Sequence, residues 1–80
     1  MARINLDTIT KINKDRNMVH TPVTTTYTVF DSLDGQHYVQ LDTYGKSDRA
    51  IPEKISQSIQ IDKESAEFLV KLLTKEFNLK

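Results

Sequence analysis

Apolar and polar residues alternate along several segments of the chain, and this alternation predicts a structure built mainly from β-strands. The clearest segment is "KISQSIQI", in which Ile55, Ile59 and Ile61 fall on one side of an extended chain and polar residues on the other. β-Branched and aromatic residues in "VTTTYTVFDSL" and "QHYVQLDTY" indicate two further strands. "ARINLDTITKI" keeps the alternation only as far as Thr8, so we expect a strand with a bend or bulge. The predicted strands are 2–12, 22–32, 36–44 and 55–61.

The dipeptide Asp34-Gly35 between the second and third strands predicts a tight hairpin turn. A two-residue type I′ turn needs positive φ at both central residues, and Asp-Gly satisfies that need well. The resulting register places Phe30 opposite Val39 and Thr28 opposite Leu41 on a core face. The other face then receives all three tyrosines, a prediction that depends on the register. They are Tyr27, Tyr38 and Tyr44.

The C-terminal segment predicts a helix over residues 63–78, with Asp62 as its N-cap. One apolar stripe should cover the sheet; its members are Ala66, Leu69, Val70, Leu73 and Phe77. A second apolar stripe, on nearly the opposite side, consists of Phe68, Leu72 and Leu79. We interpret this second stripe as a homodimer interface; the alternative is that the N-terminal segment folds over it. The predicted fold is one α+β domain spanning residues 1–80, a four-stranded antiparallel sheet with the helix packed on one face.

Composition restricts the function classes that the chain can serve. Eleven basic residues balance eleven acidic ones, so nucleic acid could be bound only through a local basic patch. The chain has no cysteine and therefore neither a disulfide nor a thiolate metal site. It is short enough that its own core should be marginal. It has no long apolar stretch and no signal-peptide pattern, so we expect a cytoplasmic protein without a membrane partner.

The residues that could support catalysis or metal binding are not arranged for either. His20 and His37 are far apart in sequence, and neither has acidic partners at the spacing of metal ligands. His37 and Asp42 fall on opposite faces of one strand because five residues separate them. "GKS" at 45–47 lacks the earlier glycine of a phosphate-binding loop, since Gln40 stands in its place. We therefore predict no enzyme, no metal and no cofactor.

A polar loop after the third strand is the candidate binding site. It carries three cations, Lys46, Arg49 and Lys54, close to Tyr44 and to the hydrogen-bonding side chain of Gln57. These cations can neutralise phosphates, while Tyr38 and Tyr44, with Tyr27 as a third ring, stack on bases. Lys14 and Arg16 in the first loop are more distant candidates. The alternative is a solvated loop whose own acidic residues, Asp48 and Glu53, pair with its cations.

Over residues 24–76 the chain resembles the single-stranded-DNA-binding transcriptional coactivator family, positive cofactor four. The resemblance lies in the DG hairpin, the aromatic-ended strand before "GKSDRAIPEK", and the short strand and capped helix of "SIQIDKESAEFLVKLL". It implies a dimer that binds single strands with little sequence preference. Gln57 and Ser58 stand where that family usually has lysine and glycine. "YGKSDR" followed by "KISQSIQ" also resembles a segment of small uncharacterised bacterial and phage proteins.

Two functions follow from the sequence. The first is a homodimeric module that binds single-stranded DNA or RNA as a transcription or replication accessory protein. The second is a protein-interaction module or inhibitor encoded by a phage or mobile element, which the zero net charge favours. The salt dependence of binding separates them, because phosphate contacts release counterions and aromatic protein contacts do not.

Overall fold

The chain forms a four-stranded sheet followed by one long helix, which confirms the predicted α+β class. A computed structural model describes residues 1–45 and 54–80. The strands are β1 Ala2–Arg3, β2 Thr25–Asp31, β3 His37–Tyr44 and β4 Ile55–Ile61. A short 3₁₀ helix spans Leu6–Thr8, and the long helix α1 spans Lys63–Phe77. In the sheet the strands lie in the order β1-β4-β3-β2.

The sheet is mixed, so the prediction of a purely antiparallel sheet is wrong. β1 pairs with β4 in parallel, with Ala2 opposite Ile59, whereas the other two pairings are antiparallel. β1 also ends after two residues and does not continue to residue 12. The side chain of Asn5 accepts a hydrogen bond from the Asp7 amide and starts the 3₁₀ turn. Hydrogen bonds between a side chain and the nearby backbone compete with strand pairing, which explains why β1 ends at Arg3.

The β2–β3 hairpin closes through a three-residue loop, one residue longer than predicted. The Gly35 amide donates to the Ser32 carbonyl at 3.0 Å, and the Ser32 amide donates to the Gln36 carbonyl at 2.8 Å. Gly35 has a φ of 85°, as expected after a type I turn in such loops. The added residue shifts the register by one, so Phe30 lies opposite Tyr38 and Val29 opposite Val39. The predicted pairing of Phe30 with Val39 and of Thr28 with Leu41 is therefore wrong.

The observed register gives the sheet two distinct faces, because residues directly opposite each other on paired strands point to the same side. One side, which we call the apolar face, carries Ala2, Tyr27, Val29, Val39, Leu41, Ile59 and Ile61, with the polar residues Thr25, Asp31, His37, Thr43 and Gln57 towards its two ends. The other side, the aromatic face, carries Arg3, Thr26, Thr28, Phe30, Tyr38, Gln40, Asp42, Tyr44, Ser58 and Gln60. Tyr27 is thus separated from the other two tyrosines, which contradicts the predicted single tyrosine face.

A side chain caps the start of α1, and the backbone of Asn78 caps its end. The Asp62 carboxylate accepts the Ser65 amide at 2.8 Å, as the predicted N-cap requires. The helix ends at Asn78, which adopts the left-handed conformation with a φ of 52°. Asparagine tolerates this conformation better than most residues, so the helix stops one residue before the predicted end.

The described residues contain no fully buried apolar side chain. Ser65 is the one buried residue of α1. Within its first stripe Ala66 and Leu69 are half-buried, whereas Val70 is 64% and Phe77 is 69% exposed. The expectation that this stripe covers the sheet of its own chain is therefore wrong. The chain exposes 7645 Å², whereas a compact protein of its mass exposes about 4,900 Å². A single copy is thus incompletely packed.

Candidate nucleic-acid interface

Three side chains form a stack on the aromatic face. The rings of Phe30 and Tyr38 lie nearly parallel, with their centroids 5.6 Å apart and an interplanar angle of 25°. This geometry follows from their direct pairing across β2 and β3. The guanidinium of Arg3 lies over the Tyr38 ring, 5.1 Å from its centroid. Tyr38 therefore has a partner in Phe30 and in Arg3, while Phe30 keeps 37% of its surface exposed.

Tyr44 marks the far end of the same face. Its hydroxyl lies 3.1 Å from the Thr26 hydroxyl, and its amide donates to the Thr24 carbonyl at 3.0 Å. The β3–β4 register shifts between Thr43 and Tyr44, which is the signature of a β-bulge. Tyr44 is half-buried and is the last residue of β3, an inner strand of the sheet.

A groove of about 430 Å³ opens beside Tyr44. The N-terminal segment forms one wall through Met18, Val19, His20 and Thr21, and the sheet forms the other through Thr43, Tyr44, Ser56 and Gln57. Gly45 also lines the groove, so the groove reaches the start of the predicted binding loop. Tyr44 and Gln57 therefore both line this groove, although they belong to opposite faces of the sheet.

A line of hydrogen bonds crosses the centre of the aromatic face. The side-chain amide nitrogen of Gln60 donates to the side-chain oxygen of Gln40 at 2.9 Å. The side-chain amide nitrogen of Gln40 in turn donates to the Asp42 carboxylate at 2.9 Å. The Ser58 hydroxyl donates to the same carboxylate oxygen of Asp42 at 2.5 Å. Asp42 and Ser58 are buried, with 5% and 7% of their surfaces exposed. The network gives this buried carboxylate the partners that burial demands.

The charge of Asp42 restricts where a phosphate can lie. The hydrogen bond from Ser58, followed by that from Gln40, lowers the pKa of Asp42 below its ordinary value. The carboxylate is therefore ionised at neutral pH and repels phosphate from the middle of the face.

The predicted binding residues are only partly brought together. Tyr38 and Tyr44 share the aromatic face, whereas Gln57 pairs with Thr43 and points to the opposite side. Lys54 is exposed directly before β4. Lys46 and Arg49 lie outside the described residues. Among the predicted dimer residues, Phe68 is 37%, Leu72 is 38% and Leu79 is 54% exposed.

Sequence reasoning missed two residues of this surface, Phe30 and Arg3. Phe30 was assigned to the core because the hairpin loop was taken to have two residues. Arg3 joins the site because β1 pairs in parallel with β4, which places Arg3 opposite Gln60 on the aromatic face. The sequence did contain one signal for Phe30, because Ser32 before "LDG" can close a longer turn and so shift the hairpin register. No local pattern predicts the position of Arg3.

No protein-family model, no curated protein and no solved structure matches this chain. The resemblance to the positive cofactor four family stays a prediction from the sequence pattern. Within residues 1–45 and 54–80, no three or more metal-ligating side chains form a group that could hold an ion. Over the same ranges, no helix has the length and apolar character needed to cross a bilayer.

Proposed function

We propose that this chain is a cytoplasmic, homodimeric module that binds single-stranded nucleic acid without strong sequence preference. The observation that supports this proposal best is the shared face of Phe30, Tyr38 and Tyr44, which ends at the groove lined by Tyr44 and Gly45. Aromatic rings stack on any base, because every base has a π-face. A surface of this kind therefore binds single strands with little dependence on sequence.

In this proposal the rings and the cations have separate roles. Phe30 offers the exposed ring surface, while Tyr44 stacks on a base at the groove. Arg3 can contact a phosphate by exchanging its ion pair with Asp62, at 3.2 Å, since its side chain is 55% exposed. Lys54, together with the loop residues Lys46 and Arg49, supplies further phosphate contacts. Such contacts position the strand, and they make affinity depend on salt.

The first test is fluorescence anisotropy of a labelled single-stranded oligonucleotide, titrated with the protein at two salt concentrations. We expect binding that weakens steeply with salt and survives a change of base sequence. The variants Lys46→Ala and Arg49→Ala should weaken binding about equally on every sequence. Absence of binding at low salt and high protein concentration would refute the proposal.

A protein-interaction module is the second candidate, and the position of β2 favours it. β2 is the last strand of the sheet, and all seven of its residues are exposed. Within the described residues no strand pairs with its outer side. Such an edge can accept an extended peptide as an additional strand. Binding of this kind would change little with salt, and a protein that serves only this function would not bind the labelled oligonucleotide in the anisotropy experiment.

A further inference from the structure

The outer edge of β2 is long and carries none of the features that keep an edge strand single. β2 has seven residues, all of them exposed, and it pairs with β3 without a register shift. Residues 25–30 include no charge, proline or glycine. Monomeric proteins protect an edge strand with lysine, proline, a bulge or a short length. We therefore expect this edge to be paired in the functional protein.

The backbone groups that face the open edge belong to every second residue of β2. The Tyr44 amide donates to the Thr24 carbonyl, and the Ser32 amide donates to the Gln36 carbonyl. Even-numbered residues of β2 therefore direct their backbone groups to β3, because hydrogen-bonded pairs alternate along an antiparallel ladder. The odd-numbered residues direct theirs outward; they are Thr25, Tyr27, Val29 and Asp31. Within residues 1–45 and 54–80 no strand pairs with them on that side.

One antiparallel register lets two copies of β2 satisfy each other. It places Tyr27 opposite the partner's Val29 and Thr25 opposite the partner's Asp31, so all four outward-facing residues of each copy are paired. An aromatic residue opposite a β-branched one is a favourable cross-strand pair. The two Asp31 carboxylates lie at opposite ends of this interface. A shift by two residues places Tyr27 opposite Asp31 in one direction and leaves Asp31 beyond the paired strand in the other.

We infer that β2 is a homodimer interface, in which two copies pair antiparallel about a twofold axis at Thr28. The two sheets join into one sheet of eight strands, and each face continues from one copy to the other. The start of α1 leaves room for this arrangement, since Arg3 donates to Asp62 at the opposite edge of the sheet. Pairing closes the β2 edge of both copies, so only unpaired copies can add further strands there.

The pairing also completes the aromatic face with residues of the second copy. Phe30, which stacks on Tyr38, lies opposite the partner's Thr26 with about 4.5 Å between the Cα atoms. In each copy the Thr26 hydroxyl lies 3.1 Å from the Tyr44 hydroxyl. One row therefore runs from Tyr38 through Phe30 to the partner's Tyr44, whereas Phe30 and Thr26 of one copy are about 13 Å apart along β2. This shared row rests on the proposed function, in which a single strand stacks on these rings.

Opposite charges at the twofold axis test the pairing. Light scattering after size exclusion should give twice the chain mass of 9.2 kDa for the wild-type protein. Thr28 lies opposite Thr28 of the second copy, so Thr28→Lys or Thr28→Glu brings two like charges together and should abolish the dimer at low salt. A refolded equimolar mixture of the two variants should recover the doubled mass, because a lysine then lies opposite a glutamate.

The control places the same charge outside the interface. Leu33→Lys is suitable, since Leu33 lies at the hairpin tip beyond β2 and is fully exposed. It should keep the dimeric mass and the circular-dichroism spectrum of the wild-type protein. A wild-type monomer, a dimer that survives in either Thr28 variant alone, or a mixture that does not recover the dimer would overturn the pairing. The mixture decides the question also where a single variant fails to fold.

The heterodimer of the two Thr28 variants then tests the shared row. Phe30→Ala and Tyr44→Ala are introduced either into one of its chains or one into each chain. If the row crosses the interface, alanines in separate chains leave one row complete, whereas alanines in the same chain break both rows. In oligonucleotide anisotropy we therefore expect the same-chain heterodimer to bind about 5- to 30-fold more weakly than the other.

The outcomes of this comparison separate the shared row from the proposed function. Equal or reversed affinities of the two heterodimers would overturn the shared row, because each copy would then bind with its own rings. If the heterodimer without alanines bound no oligonucleotide, the proposed function and the shared row would both be refuted. The pairing of β2 would stand in either case, since light scattering alone decides it.

Discussion

Replacing Phe30 by alanine tests whether the aromatic face carries the nucleic-acid contacts. Phe30 pairs with Tyr38 across the strands, and their rings stack at 5.6 Å. Its remaining exposed surface, 37%, is the ring area open to a base. The variant Phe30→Ala removes that area and leaves the cationic residues in place. We therefore expect weaker binding with an unchanged dependence on salt.

The expected loss of binding free energy in Phe30→Ala follows from the energy of base stacking on an aromatic ring. Stacking of one base on an aromatic side chain contributes about 1–3 kcal/mol. Because most of the Phe30 surface already contacts its own protein, we expect a loss in the lower part of that range, about 1–2 kcal/mol. This corresponds to a Kd that rises about 5- to 30-fold. The variant also loses the aromatic pair, which contributes about 0.5–1.5 kcal/mol to folding.

The assay is anisotropy with a labelled oligonucleotide, performed after circular dichroism and light scattering have shown that the variant keeps its fold and oligomeric mass. Tyr27→Ala is the matched control, since Tyr27 is an aromatic residue of the same strand that lies on the opposite face and is 72% exposed. At equal oligomeric mass it should leave the Kd unchanged. Equal effects of the two variants, or no effect of Phe30→Ala, would show that the aromatic face is not the binding surface.

Three further predictions concern charge, pH and the hairpin. If Lys54 contacts one phosphate, Lys54→Gln should make a plot of the logarithm of the binding constant against the logarithm of salt concentration less steep by about 0.7. An unchanged slope would exclude the contact. Asp42→Asn should lower stability at pH 7, because hydrogen bonds from Ser58 and Gln40 lower the pKa of Asp42 in the folded state. That contribution is present above the ordinary pKa of 3.8 and is lost as pH falls through the lower folded-state value, so urea melts of the two proteins should converge in acid. Gly35→Ala should destabilise the protein by about 1 kcal/mol because φ is positive there, and urea melts should show a smaller loss for Gly35→Asn.

The strands and the helix could be predicted from local patterns, because those patterns record which side of each element faces away from water. β4 and α1 have the clearest patterns, and their observed starts at Ile55 and Lys63 are the predicted ones. The faces of the hairpin could not be predicted, since one added loop residue exchanges the partners of every residue in β2. The bonding that closes this loop, from Ser32 to Gln36, is a three-dimensional feature that Asp34-Gly35 alone does not specify.

The candidate site was predicted less well than the fold. Tyr38, Tyr44 and Gln57 were proposed from residue type and from their closeness to the loop, and the structure places the two tyrosines on the aromatic face and Gln57 on the other. Phe30 and Arg3 reach the site through strand pairing between distant parts of the chain, Arg3 with Gln60 and Phe30 with Tyr38. Pairing of this kind depends on tertiary structure, and a single sequence contains no direct signal for it.

The open edge at β2 has a consequence for the behaviour of the protein at high concentration. Residues 25–30 are six consecutive strand residues with high β-propensity and with no charge, proline or glycine. Segments of this composition form cross-β fibrils when they meet copies of themselves edge to edge. Colloidal repulsion is weakest near the isoelectric point of about 6.7, where the net charge vanishes. We therefore expect neutral buffers to favour fibril growth from this strand and the variant Thr28→Lys to suppress it.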